Sequence, residues 1–478
     1  MKNNARTFVV LLVFSILVSL SFFWGRIDPD YYVFYYIGRG VAQGQDMYID
    51  FADNKGPVLY LFFSFMYMIF GTNLELAAVV TSGLIDAFSV YLILRLFDIW
   101  FPGSKIDFSG KKILLPIGLL LVFKSFSIGT DTGGIYSETI AFLFILVSLF
   151  ALEKKQDAFS GILYMLGALT RPTVVFWGLF VLVRILFQKD KLKNLFSFVA
   201  GSFFCLLITM FYYFTTGGSF FYLFQNLITF NLGYAGLVKQ LYIPQLVGTS
   251  VFEFRILIST LFTSVFLIWF FIKRYGTKKI NTLLLTLSVA TFLATFTGGI
   301  FYFHHFIQFS LLLSVALLYV VKHKSFNPLR PALGLLVVAI IINFFSFIFI
   351  SNKTFDLQGS GTFLQNHETF LNQNKYLMVV TYYPELYFRY DKVSPDRYFL
   401  PYFLSARFNT NVEEDVERHS QMERSKIKDT LFLFITNNNF DKRIKEEYLY
   451  RFSDKFKLVE VVSTDENGTG ISLYVSDY

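Results

Sequence analysis

The sequence contains very little cysteine and little charge. Cys205 is the only cysteine among 478 residues, and it lies within an apolar run. This excludes a disulfide within one chain and a metal site built from several cysteines. Charged residues make up 16% of the chain, whereas soluble domains carry about 25%. The shortage of charge argues against an ordinary soluble protein.

Apolar runs occupy the chain up to about Ser351, and charged residues crowd together after it. Residues 1–351 carry 26 Lys and Arg against 15 Asp and Glu, a net of +11, whereas residues 352–478 carry 16 against 19, a net of −3. We therefore predict a transmembrane domain, residues 1–351, and a soluble extracytoplasmic domain, residues 352–478. The positive charge lies in short loops between apolar runs, so it does not indicate nucleic-acid binding.

Eleven apolar runs approach the roughly 20 residues that a helix needs to cross a bilayer. They are 7–25, 75–97, 113–127, 138–152, 158–170, 172–187, 195–215, 250–272, 281–298, 305–321 and 331–350. The first is too long for the apolar region of a signal peptide, and no cleavage site of small residues follows, so we interpret it as a retained span. The run at 57–71, with 15 residues, suits a re-entrant or interfacial segment, because a crossing here would place the basic loop at 98–112 outside. The prediction is an α-helical polytopic membrane protein with about 11 transmembrane helices.

The distribution of positive charge predicts the orientation, because cytoplasmic loops are enriched in Lys and Arg. A cytoplasmic N-terminus places 19 of the 26 basic residues of the first domain inside, whereas seven, including Lys55, Lys124 and Arg171, fall at or near the outer face. The outer face then receives the loop at 26–74 and the C-terminal domain. We expect a bacterial plasma membrane. No Gly-Lys-Ser/Thr motif is present, which disfavours ATP-driven work inside.

The C-terminal domain reads as a small α/β unit. Alternating apolar residues predict strands at 376–381, 430–436, 455–462 and 470–475, the last two joined by a turn at 465–468. Helical patterns fall near 412–425 and 440–450. We expect a lid or docking domain over the outer face, and recognition of a polymeric acceptor is its most specific use.

Acidic residues lie where basic residues are scarce. Asp28 and Asp30 directly follow the first apolar run in an aromatic setting, and Asp53 lies in the same outer loop. Asp131 and Glu138 flank the junction between the third and fourth spans. Carboxylates at membrane depth are costly and are by default candidates for a functional site. Asp86 lies in the middle of a span, where we expect a structural hydrogen bond.

Several segments resemble the GT-C superfamily of membrane glycosyltransferases, such as protein mannosyltransferases and aminoarabinose transferases. The stretch IDPDYYVFYYIGRGVAQGQDMYIDFADNKGPVLYLFF is similar to the first outer loop of that superfamily, with Asp53-Asn54-Lys55-Gly56-Pro57 as its Asp-x-Lys-x-Pro element and Gly56 where many members have a second proline. GGIYSETIAFLF resembles the acidic element of the second outer loop. LGALTRPTVVFWGL resembles the Arg-Pro junction between two short spans. IFYFHHFIQFSLLL places His304 or His305 where the superfamily has a histidine.

The resemblance implies transfer of a sugar, with inversion, from a polyprenyl-phosphate carrier to a cell-envelope polysaccharide, glycolipid or protein on the outer face. It makes Asp30 the general base, with Asp28 as the alternative because Tyr31 stands where many members have a second acid. Glu138 or Asp131 would orient the acceptor or help to place a divalent cation, Mg²⁺ or Mn²⁺. The cations available to the phosphate are Lys55, Arg171 and His304 or His305, and Asp53 belongs to the same binding set.

Other readings of these residues stay open at this point. Arg171 could bond carbonyls freed by the following proline, and Lys55 could be an interfacial anchor. A transporter or flippase for a lipid-linked sugar is an alternative function, although no repeat between halves is visible. A ligase that transfers a whole glycan shares the layout. Cofactor use stays undecided, since no cluster has local metal-ligand spacing.

Overall fold

A computed structural model gives the fold. It describes residues 2–22, 27, 29–51, 53–101, 113–127, 135–216, 220–230, 278–296, 303–323, 376–379, 386–387, 391–392, 394, 430–436, 456–463 and 470–476. Five predicted elements lie outside these residues: the spans at 250–272 and 331–350, the helices near 412–425 and 440–450, and the turn at 465–468.

Helices dominate the described residues. They are α1 (Lys2–Phe22), α2 (Pro29–Ala42), α3 (Pro57–Phe70), α4 (Leu74–Trp100), α5 (Leu114–Ser127), α6 (Ser137–Glu153), α7 (Asp157–Thr170), α8 (Trp177–Leu186), α9 (Lys191–Thr215), α10 (Phe220–Phe224), α11 (Lys278–Phe296) and α12 (Phe309–His323), with 3₁₀ turns at Pro172–Phe176 and Phe303–Gln308 and a π-helical turn at Gln225–Phe230. Nine of the eleven predicted apolar runs fall on these elements, which confirms their helical structure.

Two helices in the described ranges are long and apolar enough to cross a membrane, judged by length and composition. They are α4, with 27 residues, and α9, with 25. The other apolar helices found there are shorter, and α3, with 14 residues, is about 21 Å long at 1.5 Å per residue. The described residues thus support a mostly helical chain with two candidate spans, and crossing by the other runs stays a prediction.

The helix α3 has clear start and stop signals. Pro57 occupies its first turn, where the missing backbone N–H is not needed. Gly71 ends it in a conformation with φ of 57°, and its N–H donates to the carbonyl of Tyr67 at 2.7 Å. The next helix is capped at once, since the Asn73 side chain accepts from the N–H of Leu76. The two helices therefore turn sharply against each other.

The helix α9 packs closely against α7 through residues without side chains. A Cβ on Gly161 would lie 2.0 Å from the carbonyl oxygen of Phe198, and one on Gly201 would lie 1.9 Å from that of Ala158. Ser202 Oγ also donates to the carbonyl of Gly161 at 3.0 Å. Small residues at such a contact are typical of helices packed in lipid. The opposite face of α9 is apolar and exposed.

A buried ion pair joins three helices of the bundle. Lys124 Nζ on α5 lies 2.6 Å from Asp86 Oδ2 on α4 and also donates to Ser19 Oγ on α1 at 2.6 Å and to Ser82 Oγ at 2.5 Å. The Lys124 and Asp86 side chains are 2% and 1% exposed. Asp86 therefore has the structural partner that its sequence position predicts. For Lys124, which the sequence places near the outer face, the structure shows a partner that the sequence did not identify.

A four-stranded sheet accounts for most of the described residues between 376 and 476. Its strands are β1 (Tyr376–Val379), β2 (Thr430–Thr436), β3 (Phe456–Ser463) and β4 (Gly470–Ser476), in the order β1-β2-β4-β3. The pair β1-β2 is parallel, and the other two pairs are antiparallel. All four predicted strands are confirmed to within two residues. Leu377 and Leu433 of this sheet join the aromatic core that α2 and α3 form.

Candidate functional site

Three predicted site residues from separate parts of the chain meet in one buried cluster. Glu138 Oε1 lies 2.8 Å from Arg171 Nη1 and 2.9 Å from His305 Nε2. Arg171 Nη2 lies 2.9 Å from the same His305 nitrogen. We call Glu138, Arg171 and His305 the ionic cluster. Its members lie up to 167 positions apart in sequence (305 minus 138), so the fold alone brings them together.

Local backbone geometry aims each member of the ionic cluster. Glu138 lies in the first turn of α6, where the helix dipole favours a carboxylate. Arg171 has an extended backbone, φ −147° and ψ 115°, because the following proline disfavours a helical conformation. The break predicted at the Arg171-Pro172 junction is confirmed: α7 ends at Thr170, and a 3₁₀ turn follows. His305 lies in the second 3₁₀ turn, directly before α12.

Ser137 completes the ionic cluster and was not predicted from the sequence. Its Oγ donates to Glu138 Oε2 at 2.9 Å and accepts from Arg171 Nη1 at 3.0 Å. The signal was present, since Ser137 directly precedes the candidate carboxylate at the start of a helix, where serine is common. Among the described residues, the Arg171 guanidinium therefore bonds side chains and not the carbonyls freed by Pro172.

The ionic cluster combines a buried carboxylate with a partly exposed cation. The Glu138 side chain is 2% exposed, and a carboxylate so deeply buried requires close partners. Arg171 is 13% exposed, and its two terminal nitrogens are held by protein. In the part of the chain that the structure describes, its Nε has no partner. A guanidinium fixed at one edge and partly accessible is suited to binding an anion.

His305 lies against both other members of the ionic cluster. Its Nε2 lies 2.9 Å from Glu138 Oε1 and 2.9 Å from Arg171 Nη2, and the tautomer of the ring decides whether this nitrogen donates or accepts. The carbonyl of His305 also accepts from Thr295 Oγ1 on α11, at 3.4 Å. The His305 side chain is 8% exposed and faces the cluster. For His304 the structure gives a backbone position in the same 3₁₀ turn, and its side chain lies outside the described set.

A second predicted element, the turn at 53–57, is held by a network of aromatic hydroxyls. Tyr60 Oη donates to Asp53 Oδ2, and the Asn54 N–H donates to Asp53 Oδ1 at 2.6 Å. Tyr48 Oη donates to the carbonyl of Lys55 at 2.6 Å. Asp53 is 3% exposed. Its bonds fix the turn.

Two further predicted residues, Lys55 and Asp30, lie close enough to Asp53 for their charges to affect its pKa. Burial raises the pKa of the Asp53 carboxyl, the Lys55 ammonium opposes that rise, and the negative charge of Asp30 adds to it. Asp30 lies in the first turn of α2 and is half-buried. Lys55 Nζ donates to Asn54 Oδ1 at 2.6 Å and lies 6.0 Å from the ring centroid of Phe34, one turn after Asp30.

Gly56 joins the turn to the ionic cluster. Its N–H donates to the carbonyl of Thr170 at 3.1 Å, directly before Arg171. A Cβ at Gly56 would lie 1.7 Å from the carbonyl oxygen of Leu169. A proline here would lose the donor and would collide with α7, although the backbone φ of −80° suits proline. This contact explains why glycine occupies the position.

The structure thus brings together six of the predicted site residues in two adjoining groups. The ionic cluster holds Glu138, Arg171 and His305, and the neighbouring turn holds Asp53 and Lys55 with Asp30 close to them. Asp28 and Asp131 lie outside the described residues. Within the described ranges, no group of three or more His, Cys, Asp or Glu side chains is arranged to hold a metal ion.

Comparison with known proteins adds no relative to this picture. No protein-family model matches the chain, and no curated protein matches it. The likeness to the GT-C superfamily therefore rests on the motifs and their order along the sequence.

Proposed function

We propose that the chain is an inverting glycosyltransferase that moves a sugar from a polyprenyl-phosphate carrier to a cell-envelope acceptor on the outer face of the membrane. The observation that carries the proposal is the ionic cluster, whose partly exposed Arg171 adjoins the turn with Lys55 through the Gly56–Thr170 hydrogen bond. Two cations next to acidic groups are what transfer from a lipid phosphate requires. We expect about 11 spans to carry this site, and α4 and α9 support that layout.

The proposed reaction is a single displacement at the anomeric carbon. The acceptor hydroxyl forms the new bond from the face opposite the phosphate, and its proton passes to the Asp30 carboxylate, or to Asp28. The bond between the anomeric carbon and the phosphate oxygen breaks, and the bonding pair leaves on polyprenyl phosphate. The leaving group gains negative charge, which Arg171 and Lys55 stabilise. No protonation of the leaving group is needed.

Glu138 and His305 support this step without taking part in bond exchange. Glu138 holds Arg171 through Nη1, so the guanidinium is oriented before the donor arrives. His305 lies 2.9 Å from both the same carboxylate and Arg171, so it packs the ion pair from a third side. A divalent cation, Mg²⁺ or Mn²⁺, is an open part of the proposal, and chelation with EDTA followed by readdition of either ion tests it.

The decisive experiment follows polyprenyl phosphate released by the purified protein. The donors are polyprenyl phosphates carrying radiolabelled glucose, galactose, mannose or an amino sugar, and the acceptor is envelope material from cells that lack the protein. We expect release with one donor, and loss of release in Asp30→Asn or Asp28→Asn. Full activity in both variants would sink the assignment.

A matched acidic control separates chemistry from general damage. Glu75 lies in the first turn of α4 as Asp30 lies in the first turn of α2, and it is exposed. Glu75→Gln should keep wild-type release. Sugar that crosses proteoliposome membranes with no bond cleaved would favour a transporter or flippase instead. Transfer of a complete glycan from a diphosphate carrier would identify a ligase.

A further inference from the structure

The C-terminal segment, residues 376–476, contacts α2 through a buried arginine. Arg39, in the last turn of α2, donates from Nη1 to Asp391 Oδ1 at 3.0 Å and from Nη2 to the carbonyl of Lys392 at 2.9 Å. Its side chain is 4% exposed, whereas that of Asp391 is 87% exposed. A guanidinium removed from water to this extent depends on such partners. The contact therefore constrains both segments.

Tyr36 makes a second contact with the same segment, one helical turn earlier. Its hydroxyl accepts from the N–H of Ser394 at 2.6 Å. Its ring centroid lies 4.9 Å from that of Tyr387, and the Arg39 guanidinium carbon lies 5.4 Å from the Tyr36 ring. The two contacts use one face of α2. We call Arg39, Tyr36 and their partners in 386–394 the clamp.

The clamped helix also carries the candidate site. A Cβ on Gly38 would lie 2.5 Å from the backbone of Phe63, so α2 rests directly on α3. Tyr36 packs edge-on against Phe51, two residues before Asp53, with 5.7 Å between ring centroids. Asp30 lies nine residues before Arg39 on the same helix, about 13.5 Å along its axis. A shift of α2 would thus move Asp30 and the turn at 53–57 together.

We propose that Arg39 is a positioning residue through which the C-terminal segment sets the geometry of the candidate site. The clamp fixes the end of α2 remote from Asp30, and the packing of α2 on α3 and Phe51 passes that constraint to the site. The C-terminal segment then does more than the covering of the outer face that the sequence predicts. The inference rests on the proposed function for its catalytic meaning, and its first test does not depend on that function.

The first test measures backbone hydrogen exchange in the full-length protein in nanodiscs. Arg39→Met should speed exchange about tenfold in 386–394, and equally in 29–42 and 46–57. Asp391→Asn and Tyr36→Phe are milder variants that keep the test valid should Arg39→Met fold poorly, and each should give the same pattern at smaller size. Arg95→Gln, which breaks a partly exposed pair on α4, should change none of these segments.

Faster exchange confined to 386–394 in all three clamp variants would overturn the proposal, because the clamp would then only dock the domain. The second test measures transfer kinetics. Arg39→Met should lower kcat by about tenfold to a hundredfold, with a smaller change in KM for the donor, and Arg39→Lys should recover part of the loss. An unchanged kcat despite a loosened α2 would also overturn it. A wild-type protein without transfer activity would refute the proposed function alone, and the exchange data would still decide the clamp.

Discussion

Two buried groups of charges can be compared within this molecule. The pair Lys124–Asp86 is 2% and 1% exposed, and Ser19 and Ser82 complete its bonds. The ionic cluster around Glu138 is equally buried at its carboxylate, but its cation Arg171 is 13% exposed. The first group lies between regular helices, whereas the second lies where α7 breaks. Both groups bury a carboxylate, but only in the ionic cluster is the partner cation, Arg171, partly exposed.

The difference separates a structural ion pair from a candidate binding site. Lys124 directs its bonds to two other helices, α1 and α4, and leaves the pair sealed, so its removal should affect folding. Arg171 is anchored by two nitrogens and is partly open to incoming groups, so its removal should affect ligand binding and turnover. Variants of the two groups test whether this distinction is correct.

The largest expected effect is on stability at the sealed pair. Lys124→Met leaves Asp86 buried without its cation, and we expect a loss of about 3–5 kcal/mol in the free energy of unfolding. The double variant Lys124→Met/Asp86→Leu should recover most of it, because neither charge then remains. Thermal unfolding in detergent measures both. A double variant as unstable as the single one would contradict the structural role.

The next effect is on catalysis at the ionic cluster. If the proposed function is correct, Arg171→Gln should lower the rate of polyprenyl phosphate release by about 10²–10³-fold, since the cation proposed to stabilise the leaving group is lost. Arg184→Gln is the matched control, because Arg184 also bonds a glutamate, Glu153, and follows the same helix break. Equal rates for the two variants would place Arg171 with the structural residues.

A smaller effect concerns pH and the buried Asp53. Burial raises the pKa of this carboxyl in the fold. Its ionisation therefore opposes folding, and this cost is absent below the unfolded pKa of about 4 and grows as the pH rises towards the folded value. The Tm of wild type relative to Asp53→Asn should rise as the pH is lowered from 7 to 4. A relative Tm that stays constant or falls over this range would contradict a raised pKa at Asp53.

The smallest effect belongs to the exposed pair on α4. Arg95 and Asp98 are 27% and 25% exposed and lie three residues apart on one helix. Water screens such a pair, so Arg95→Gln should change the free energy of unfolding by only about 0.2–0.5 kcal/mol. A loss comparable with that of Lys124→Met would show that burial is a poor guide to the role of charges in this protein.

Much of the local structure could be predicted from the sequence. Apolar runs of 13 to 23 residues predicted most of the helices but not α2 or α10, and alternation predicted β1 to β4, because each pattern is set by neighbouring residues. The Arg171-Pro172 break was predictable for the same reason. Glu138, Arg171 and His305 were each proposed from resemblance, and their common cluster follows from packing that no local pattern reveals.

Long-range partners could not be predicted. Lys124 and Asp86 are 38 residues apart, and Arg39 and Asp391 are 352 apart. Nothing in the segment around Lys124 distinguishes an outer-face lysine from one buried against another helix. Tyr48 and Tyr60 likewise looked like members of an aromatic loop, and only the fold shows that their hydroxyls hold the turn at 53–57.

The contact between Gly56 and α7 has a consequence for how substrate preference could change over evolution. The link between the turn and Thr170 is made of backbone atoms. Replacing the side chain of Lys55 or Arg171 leaves that link chemically intact, so the Gly56–Thr170 contact does not depend on which residues occupy those two positions. Descendants of this protein could therefore acquire new donor or acceptor preferences by side-chain exchange, provided that position 56 stays glycine.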